Sequence, residues 1–295
     1  MKYLNHMSYF VEVVKAKSFR GAAIALNMPN STLSRKIKEL EEFIGLRLIH
    51  RTTRKLELTE AGQTYYGRCR AIINEARLAH EQLDSLLEQP QGLLRMSLPS
   101  DFAIIILGPM IKAFSDDYPS IRFDLDLTPR NVDLVTEPYD LAIRIGQLPD
   151  SGLIARKIGT LTRSIYASHD YLTKYGTPET PSELVNHEFL TMRKDLIEQC
   201  QLSRGENLIN FRPKGRFQMN SIGLLKRFAS IGAGLAILPD RIAEEAVAST
   251  QLTKVMPDWK ANDVTVYALT ETRLLPAKTQ IFIEFIRKKL SEKVS

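Results

Sequence analysis

Long apolar runs are missing from this chain of 295 residues. No stretch approaches the ~20 consecutive apolar residues that cross a bilayer, and Met1-Lys2-Tyr3-Leu4-Asn5-His6 lacks the apolar core of a signal peptide. The expectation is a cytoplasmic protein without a membrane partner. Cysteine is nearly absent: Cys69 and Cys200 stand far apart, which excludes a disulfide framework and a Cys-x-x-Cys metal site. Of His6, His50, His80, His169 and His187, only the last two fall in the C-terminal two thirds. No Gly-x-Ser-x-Gly, Walker or His-Glu-x-x-His pattern stands beside them, and Gly232-x-Gly234 lacks the third glycine of a dinucleotide loop. No catalytic residue, metal or cofactor is therefore expected.

Acidic charge is scarce in one place only. Residues 1–60 hold 11 Lys and Arg against 6 Asp and Glu, whereas residues 96–295 hold 25 against 24. Nearly all of the net charge of +6 thus sits in the N-terminal segment, the footprint expected of a surface that meets phosphates.

Within that segment, residues 30–44 read as a helix. At about 100° per residue, Ser31, Ser34, Arg35 and Lys38 share one side, and Leu33, Ile37, Leu40 and Ile44 share the other. Before it, Ser18 can cap a short Ala-rich helix over residues 19–26, and Asn27-Met28-Pro29 makes a tight connection. An amphipathic helix over residues 3–15, with Leu4, Met7, Phe10, Val11 and Val14 inward, completes a small core. A DNA major groove admits one helix and offers donors and acceptors that Asn, Ser and Arg read. The other reading of the same pattern is a solvated face on an ordinary helix pair.

Gly45 ends the helix, and residues 46–59 then read as a basic hairpin, a wing carrying Arg51, Arg54 and Lys55 toward phosphates or the adjacent groove. The run Phe10, Ala22-Ala23, Leu26, Leu33-Ser34, Ile37, Leu40-Glu41, Leu46, Leu48, Arg51, Arg54 and Leu58-Thr59-x-Ala61-Gly62 resembles the winged helix-turn-helix of LysR-type transcriptional regulators. Many of those relatives carry Ser-Gln-Pro-Ala where this chain has Pro29-Asn30-Ser31-Thr32. Asn30, Ser31, Ser34 and Arg35 are the candidate groove contacts, with Lys36, Lys38, Arg51, Arg54 and Lys55 nearer phosphates.

A long helix is expected over residues 59–89. In it Tyr65, Cys69, Ile72, Ala76, Ala79, Leu83 and Leu86 follow at alternating spacings of four and three, the seam of a coiled coil. Some 30 residues would extend about 45 Å, too far for a helix folded back on so small a domain. It should pair with its copy in a homodimer through Ile72, Ala76, Leu83 and Leu86, so that two recognition helices meet a dyad-symmetric DNA site. The resemblance implies a homotetramer.

From residue 93 onward, strands and helices alternate: strands over 93–98, 121–127, 140–145, 164–168, 188–192, 216–219, 235–238 and 264–269, and helices over 102–117, 222–231 and 277–293. The fold class is α/β with an N-terminal all-α winged helix-turn-helix, a long linker helix and, by resemblance, a two-lobed effector domain like periplasmic binding proteins. The domains expected are 1–58, 59–91 and 92–295, with one lobe at 92–162 plus 268–295 and the other at 163–267.

Ligands of such sheets bind beyond the carboxyl ends of strands, near helix N-termini. That singles out the strand ends Ser100-Asp101, Thr128-Pro129-Arg130, residues 144–147, Met192-Arg193 and Asn220-Ser221. The resemblance implies an effector cleft that uses Ser100 and Thr128 with the regions of Arg144, Arg193 and Asn220, Asp101 lying beside them, although Ser100 and Asn220 also read as helix caps. The arginines suit a small organic acid, while Asp101 suits a neutral or cationic effector. The leading function is a sequence-specific, effector-responsive activator or repressor of transcription. The alternatives are a constitutive or architectural DNA binder and, least favoured, an enzyme on the two-lobed domain.

Overall fold

The computed structural model describes residues 3–51, 56–84, 90–128, 130, 132–134, 137, 139–193 and 200–292, and for residues 51, 74 and 77–84 the main chain alone. The chain divides into two compact units, residues 1–88 and 89–295. The first contains helices α1 (Leu4–Lys15), α2 (Phe19–Ala25) and α3 (Asn30–Ile44), strands β1 (Ile49–Arg51) and β2 (Leu56–Leu58), and helix α4 (Glu60–Asp84).

The local reasons for these elements are those the residue pattern suggested. Ser18 Oγ accepts the Gly21 amide at 3.2 Å and starts α2. Asn27 takes the left-handed conformation (φ 49°) that its short polar side chain tolerates, and Gly45 (φ 77°) ends α3. Thr59 Oγ1 accepts the Gly62 amide at 2.9 Å and starts α4.

Two expectations about this unit need correction. The inner face of α1 is His6, Phe10, Val11 and Val13; Leu4 is exposed, and Met7 and Val14 are half-buried. The stripe is recentred because α1 is packed by α4 as well as α2 and α3, with Phe10 lying 5.8 Å from the Tyr65 ring and 6.3 Å from that of Tyr66. For the same reason the first rungs of the heptad seam serve this unit's own core. Cys69 is fully buried in it and Tyr65 packs against it, and burial pushes the Cys69 thiol up to about 11. Ile72, at 44% exposure, is the first seam residue left outward. Leu83 has no described side chain, and Leu86 lies outside the described residues.

The second unit is a mixed sheet. Strand β3 (Gly92–Leu98) leads into a helix of three parts: α5 (Ser100–Phe102), a π-helical turn (Ala103–Leu107) and α6 (Gly108–Asp117). One uniform helix was expected over 102–117. Pro109 has no amide for the Ile105 carbonyl, and the Gly108 amide reaches back five residues to Ala103 instead. There follow β4 (Ile121–Leu127), β5 (Leu141–Ile145), the 14-residue β6 (Ile154–Ala167), α7 (His169–Tyr175), β7 (Phe189–Met192), β8 (Cys200–Arg204), β9 (Asn207–Phe211) and β10 (Phe217–Met219). The chain closes with α8 (Ile222–Ser230), β11 (Leu235–Pro239), α9 (Asp240–Ala248), β12 (Thr253–Val255), β13 (Lys260–Thr270) and α10 (Ala277–Ser291).

The main path of the sheet is β10-β7-β11-β6-β13-β5-β3-β4. Its flanks are parallel, β3 with β4 and β5 on one side and β7 with β10 and β11 on the other. The antiparallel pair β6 and β13 joins them. Strand β6 pairs with β13 from Ile154 to Arg163 and with β11 from Arg163 to Tyr166, so it passes from one lobe to the other at Arg163. The first lobe's core gathers Phe102, Phe114 and Phe282, the last two crossing edge-on at 5.1 Å. The second lobe holds two smaller clusters around Phe189 and Leu238.

Candidate nucleic-acid interface and interlobe cleft

Leu33, Ile37 and Leu40 are buried beneath α3, which holds its other face outward. Asn30, Ser31, Arg35 and Lys38 are exposed and Ser34 half-buried, as a groove-reading face requires. Arg35 keeps 66% and Lys38 65% of side-chain surface in solvent, and among the described residues their ion-pair contacts are the long ones to Glu39 (3.5 Å) and Glu42 (3.4 Å). Lys36 behaves differently: its Nζ donates to Glu39 Oε2 at 2.9 Å, and His6 Nε2 lies 3.1 Å from the same oxygen. The His6 hydrogen bond, then that of Lys36, lowers the Glu39 carboxyl to about 2. Glu39 is thereby tied back toward α1, while Glu42 stays exposed beside Lys38.

The wing is fixed to α3 by a group that sequence reasoning placed only as a motif position. Glu41 is buried, and its Oε1 accepts the amides of Leu48 at 2.8 Å and Ile49 at 3.1 Å. On the far strand, Thr59 Oγ1 donates to Arg47 O at 2.7 Å. A Cβ at Gly62 would stand 2.0 Å from the Leu48 carbonyl oxygen, so the Thr-x-Ala-Gly end of the motif records a close crossing of wing and helix. The side chain of Arg51, and Arg54 and Lys55 entirely, lie outside the described residues.

In the second unit, the candidate cleft residues all fall at the carboxyl ends of parallel strands. The Thr128 amide donates to Leu98 O at 2.9 Å, so Thr128 sits beside the start of α5. Met192 pairs with Met219, so Arg193 and Asn220, both exposed, emerge side by side. Ser100 is the first residue of α5 after Pro99, and Ser221 rather than Asn220 caps α8, accepting the Leu224 amide at 3.1 Å. The expectation that Ser100 and Asn220 are caps is therefore corrected by one residue in each case.

Asp101 joins the two lobes. Its Oδ2 accepts the Ser221 hydroxyl at 3.0 Å, and a Cβ built on Gly223 would lie 2.4 Å from Oδ1. The carboxylate thus rests on the first turn of α8, the natural seat of an anion. Ile242 of α9 packs with the first lobe's core beside it.

Arg144 does not face the cleft, against expectation. It is 7% exposed, with donors committed to Ser97 O (3.1 Å), Ser97 Oγ (2.9 Å), Ile143 O (2.6 Å) and Arg130 O (2.7 Å). Burial, then the charge of Arg130, lowers its pKa. Its alternation on β5 could not reveal this, because three of the four acceptors come from β3 and from the loop after β4. Arg130 in turn is closed in a bidentate pair with Glu137, at 2.7 and 2.5 Å. No cluster of His, Cys, Asp and Glu that could hold a metal occurs among the described residues, and no described helix is long and apolar enough to cross a membrane.

Known proteins share this arrangement. The family model described as "Bacterial regulatory helix-turn-helix protein, lysR family" matches residues 4–63, and "LysR substrate binding domain" matches residues 87–291. An "HTH-type transcriptional regulator" of Xanthomonas campestris is 35% identical over 98% of this chain and 86% of its own. The "HTH-type transcriptional activator AaeR" of Escherichia coli is 34% identical over 96% and 92%. The full-length structure of the Vibrio cholerae virulence activator AphB superposes with a TM-score of 0.58 at 30% identity, over 96% of this chain and 98% of that one.

Proposed function

This chain belongs to the LysR family of transcriptional regulators, in which a DNA-binding helix-turn-helix accompanies an effector-binding domain, and from that premise we propose how its residues divide the work. Residues 1–58 read DNA, 59–91 link and dimerise, and 92–295 take the effector between lobes 92–162 plus 268–295 and 163–267. Asn30, Ser31, Ser34 and Arg35 meet base edges in a major groove, while Lys36, Lys38, Arg51, Arg54 and Lys55 approach phosphates. The observation that carries this reading is the outward polar face of α3 over the buried Leu33, Ile37 and Leu40. Ile72, Ala76, Leu83 and Leu86 pair α4 with its copy, and two dimers form a tetramer on a dyad-symmetric site. The protein acts in the cytoplasm and does so without catalysis.

The effector is neutral or cationic. Support comes from the first turn of α8, already occupied by the Asp101 carboxylate, and from Arg144, already committed within its lobe. Ser100, Asp101, Thr128, Arg193 and Asn220 line the cleft, with Ser221 added. A ligand that binds the closed and open lobes unequally shifts their populations, and with them the DNA-bound assembly.

Genome-wide capture of bound DNA is expected to return a shared dyad; diffuse binding without one would refute the reading. Thermal shifts against neutral, cationic and anionic compounds test the cleft. Asp101→Asn should abolish stabilisation by a cationic hit and admit anions, and an anionic hit that needs Asp101 intact would overturn the assignment.

A further inference from the structure

Away from the cleft, the first lobe carries a cavity of about 520 Å³ between the start of β6, the turn after β13 and one face of α10. That volume is in the range of small-molecule sites. Its floor is apolar: Ile158 is 3% and Ile283 7% exposed, with Leu275 half-buried beside them. Its rim is cationic, formed by Arg156, Lys157, Arg273 and Arg287. The lining carboxylate is Glu284, which already accepts Gln280 Nε2 at 3.0 Å.

Arg156 is held in place before any ligand arrives. Nη1 donates to Thr270 Oγ1 at 2.5 Å and Nη2 to Arg273 O at 2.8 Å, and Thr270 Oγ1 itself donates to Thr272 O at 2.9 Å. These acceptors are neutral, so the hydrogen bonds orient the guanidinium without cancelling its charge. Burial, then the neighbouring charge of Arg273, lowers the Arg156 pKa. Arg273 and Arg287 are exposed and make no ion pair among the described residues. Surface cations of a folded protein normally disperse or pair; here they converge on a concave site with an apolar base.

We propose that this cavity is a second ligand site, for a small organic anion carrying two or more negative charges, whose carboxylate or phosphate groups meet Arg156, Arg273 and Arg287 while its carbon skeleton lies over Ile158, Leu275 and Ile283. The ligand would tie α10 to β6, the strand that continues into the second lobe. Guanidinium pairs with such anions are charge-assisted and bidentate, which gives the site its preference over a single-charged ion.

Isothermal titration of citrate and of pyrophosphate, separately, into the full-length protein at low ionic strength tests the site. Saturable binding of one or both is expected, weakened about tenfold or more in Arg273→Ala/Arg287→Ala. Preference for citrate assigns carboxylate chemistry and preference for pyrophosphate assigns phosphate. Both exchanged side chains are exposed, and unchanged melting and DNA binding would confirm that the variant is folded; the single Arg287→Glu serves if it is not. No saturable heat from either probe, or equal binding in the Arg273→Ala/Arg287→Ala variant, would overturn the proposal, the latter placing the anion on the basic DNA-reading face or in the cleft.

Discussion

On α3, Arg35 and Lys38 hold about two thirds of their side chains in solvent, at 66% and 65%, with their acidic neighbours at 3.4 Å or more. In the second unit, Arg144 is 7% exposed and Arg130 is locked to Glu137. The two regions thus use the same residue type for opposite ends. A phosphate lattice is a partner of fixed sign, and a surface that meets it can leave cations uncommitted, since desolvation is deferred until binding. Within one lobe of the effector unit the cations have to be satisfied without a ligand, so Arg144 and Arg130 close on neighbours and, under the proposed reading, selectivity falls to the groups left at helix ends, Asp101 foremost.

That contrast can be broken or sharpened by substitution. The largest effect is expected at Ile72, the exposed seam residue of α4. Ile72→Lys should weaken the dimer by about 3 kcal/mol, counting roughly 1.5 kcal/mol for each copy, and DNA affinity should fall with it. Sedimentation that finds the dimer intact would remove α4 from the interface. Next comes Glu41→Leu, which strips the acceptor from two buried amides and should cost the first unit about 2 kcal/mol in denaturant unfolding. If only DNA binding changes, Glu41 is not the wing's anchor.

Arg35→Ala should cost about 1–3 kcal/mol on the captured site but little on random DNA, if it reads a base. Equal losses on both, in binding titrations at fixed salt, would reassign it to a phosphate. Gly223→Ala pushes a methyl onto the Asp101 carboxylate and should lower the second unit's stability by about 1 kcal/mol, leaving DNA affinity untouched. An unchanged melting curve would mean that the bond between Asp101 and Ser221 contributes nothing to lobe closure. The smallest effect is a pH dependence. Because Glu39 titrates near 2 in the fold against an ordinary 4.5, its contribution is full above about 4.5 and is lost as pH falls toward 2. Glu39→Gln should flatten the acid limb of the first unit's melting profile over that window, and identical limbs would exclude the pairing with His6 and Lys36.

Periodicity made the recognition helix legible almost residue by residue, because a helix with one dry face writes its burial at intervals of three and four. The wing was legible from its two strands, but not the buried Glu41 that anchors it: an acid inside a helix reads as solvated until its donors are known. The same limit explains Cys69 and Tyr65, whose heptad spacing suits a coiled coil and a domain core equally well. In the effector unit, β8 and β9, and the length of β6, escaped notice. Strand β8 alternates, with Cys200 and Leu202 buried, but over five residues only; every side chain of β9 from Asn207 to Ile209 is exposed, and half of β6 is a crossing strand rather than a buried one.

The sequence by itself determined the winged helix-turn-helix, the positive charge gathered on it, the parallel strands with candidate groups at their carboxyl ends, and the family. These depend on spacing along the chain and on local conformation, which a sequence states directly. Only the tertiary structure decided that Arg144 turns inward, that the Asp101 carboxylate sits at the start of α8, and that Arg156, Arg273 and Arg287 surround one cavity. Each of those outcomes is set by partners 14 to more than 100 residues away. The free energy of a charged side chain depends on its distance to those partners and on its burial, and neither is written in the order of residues.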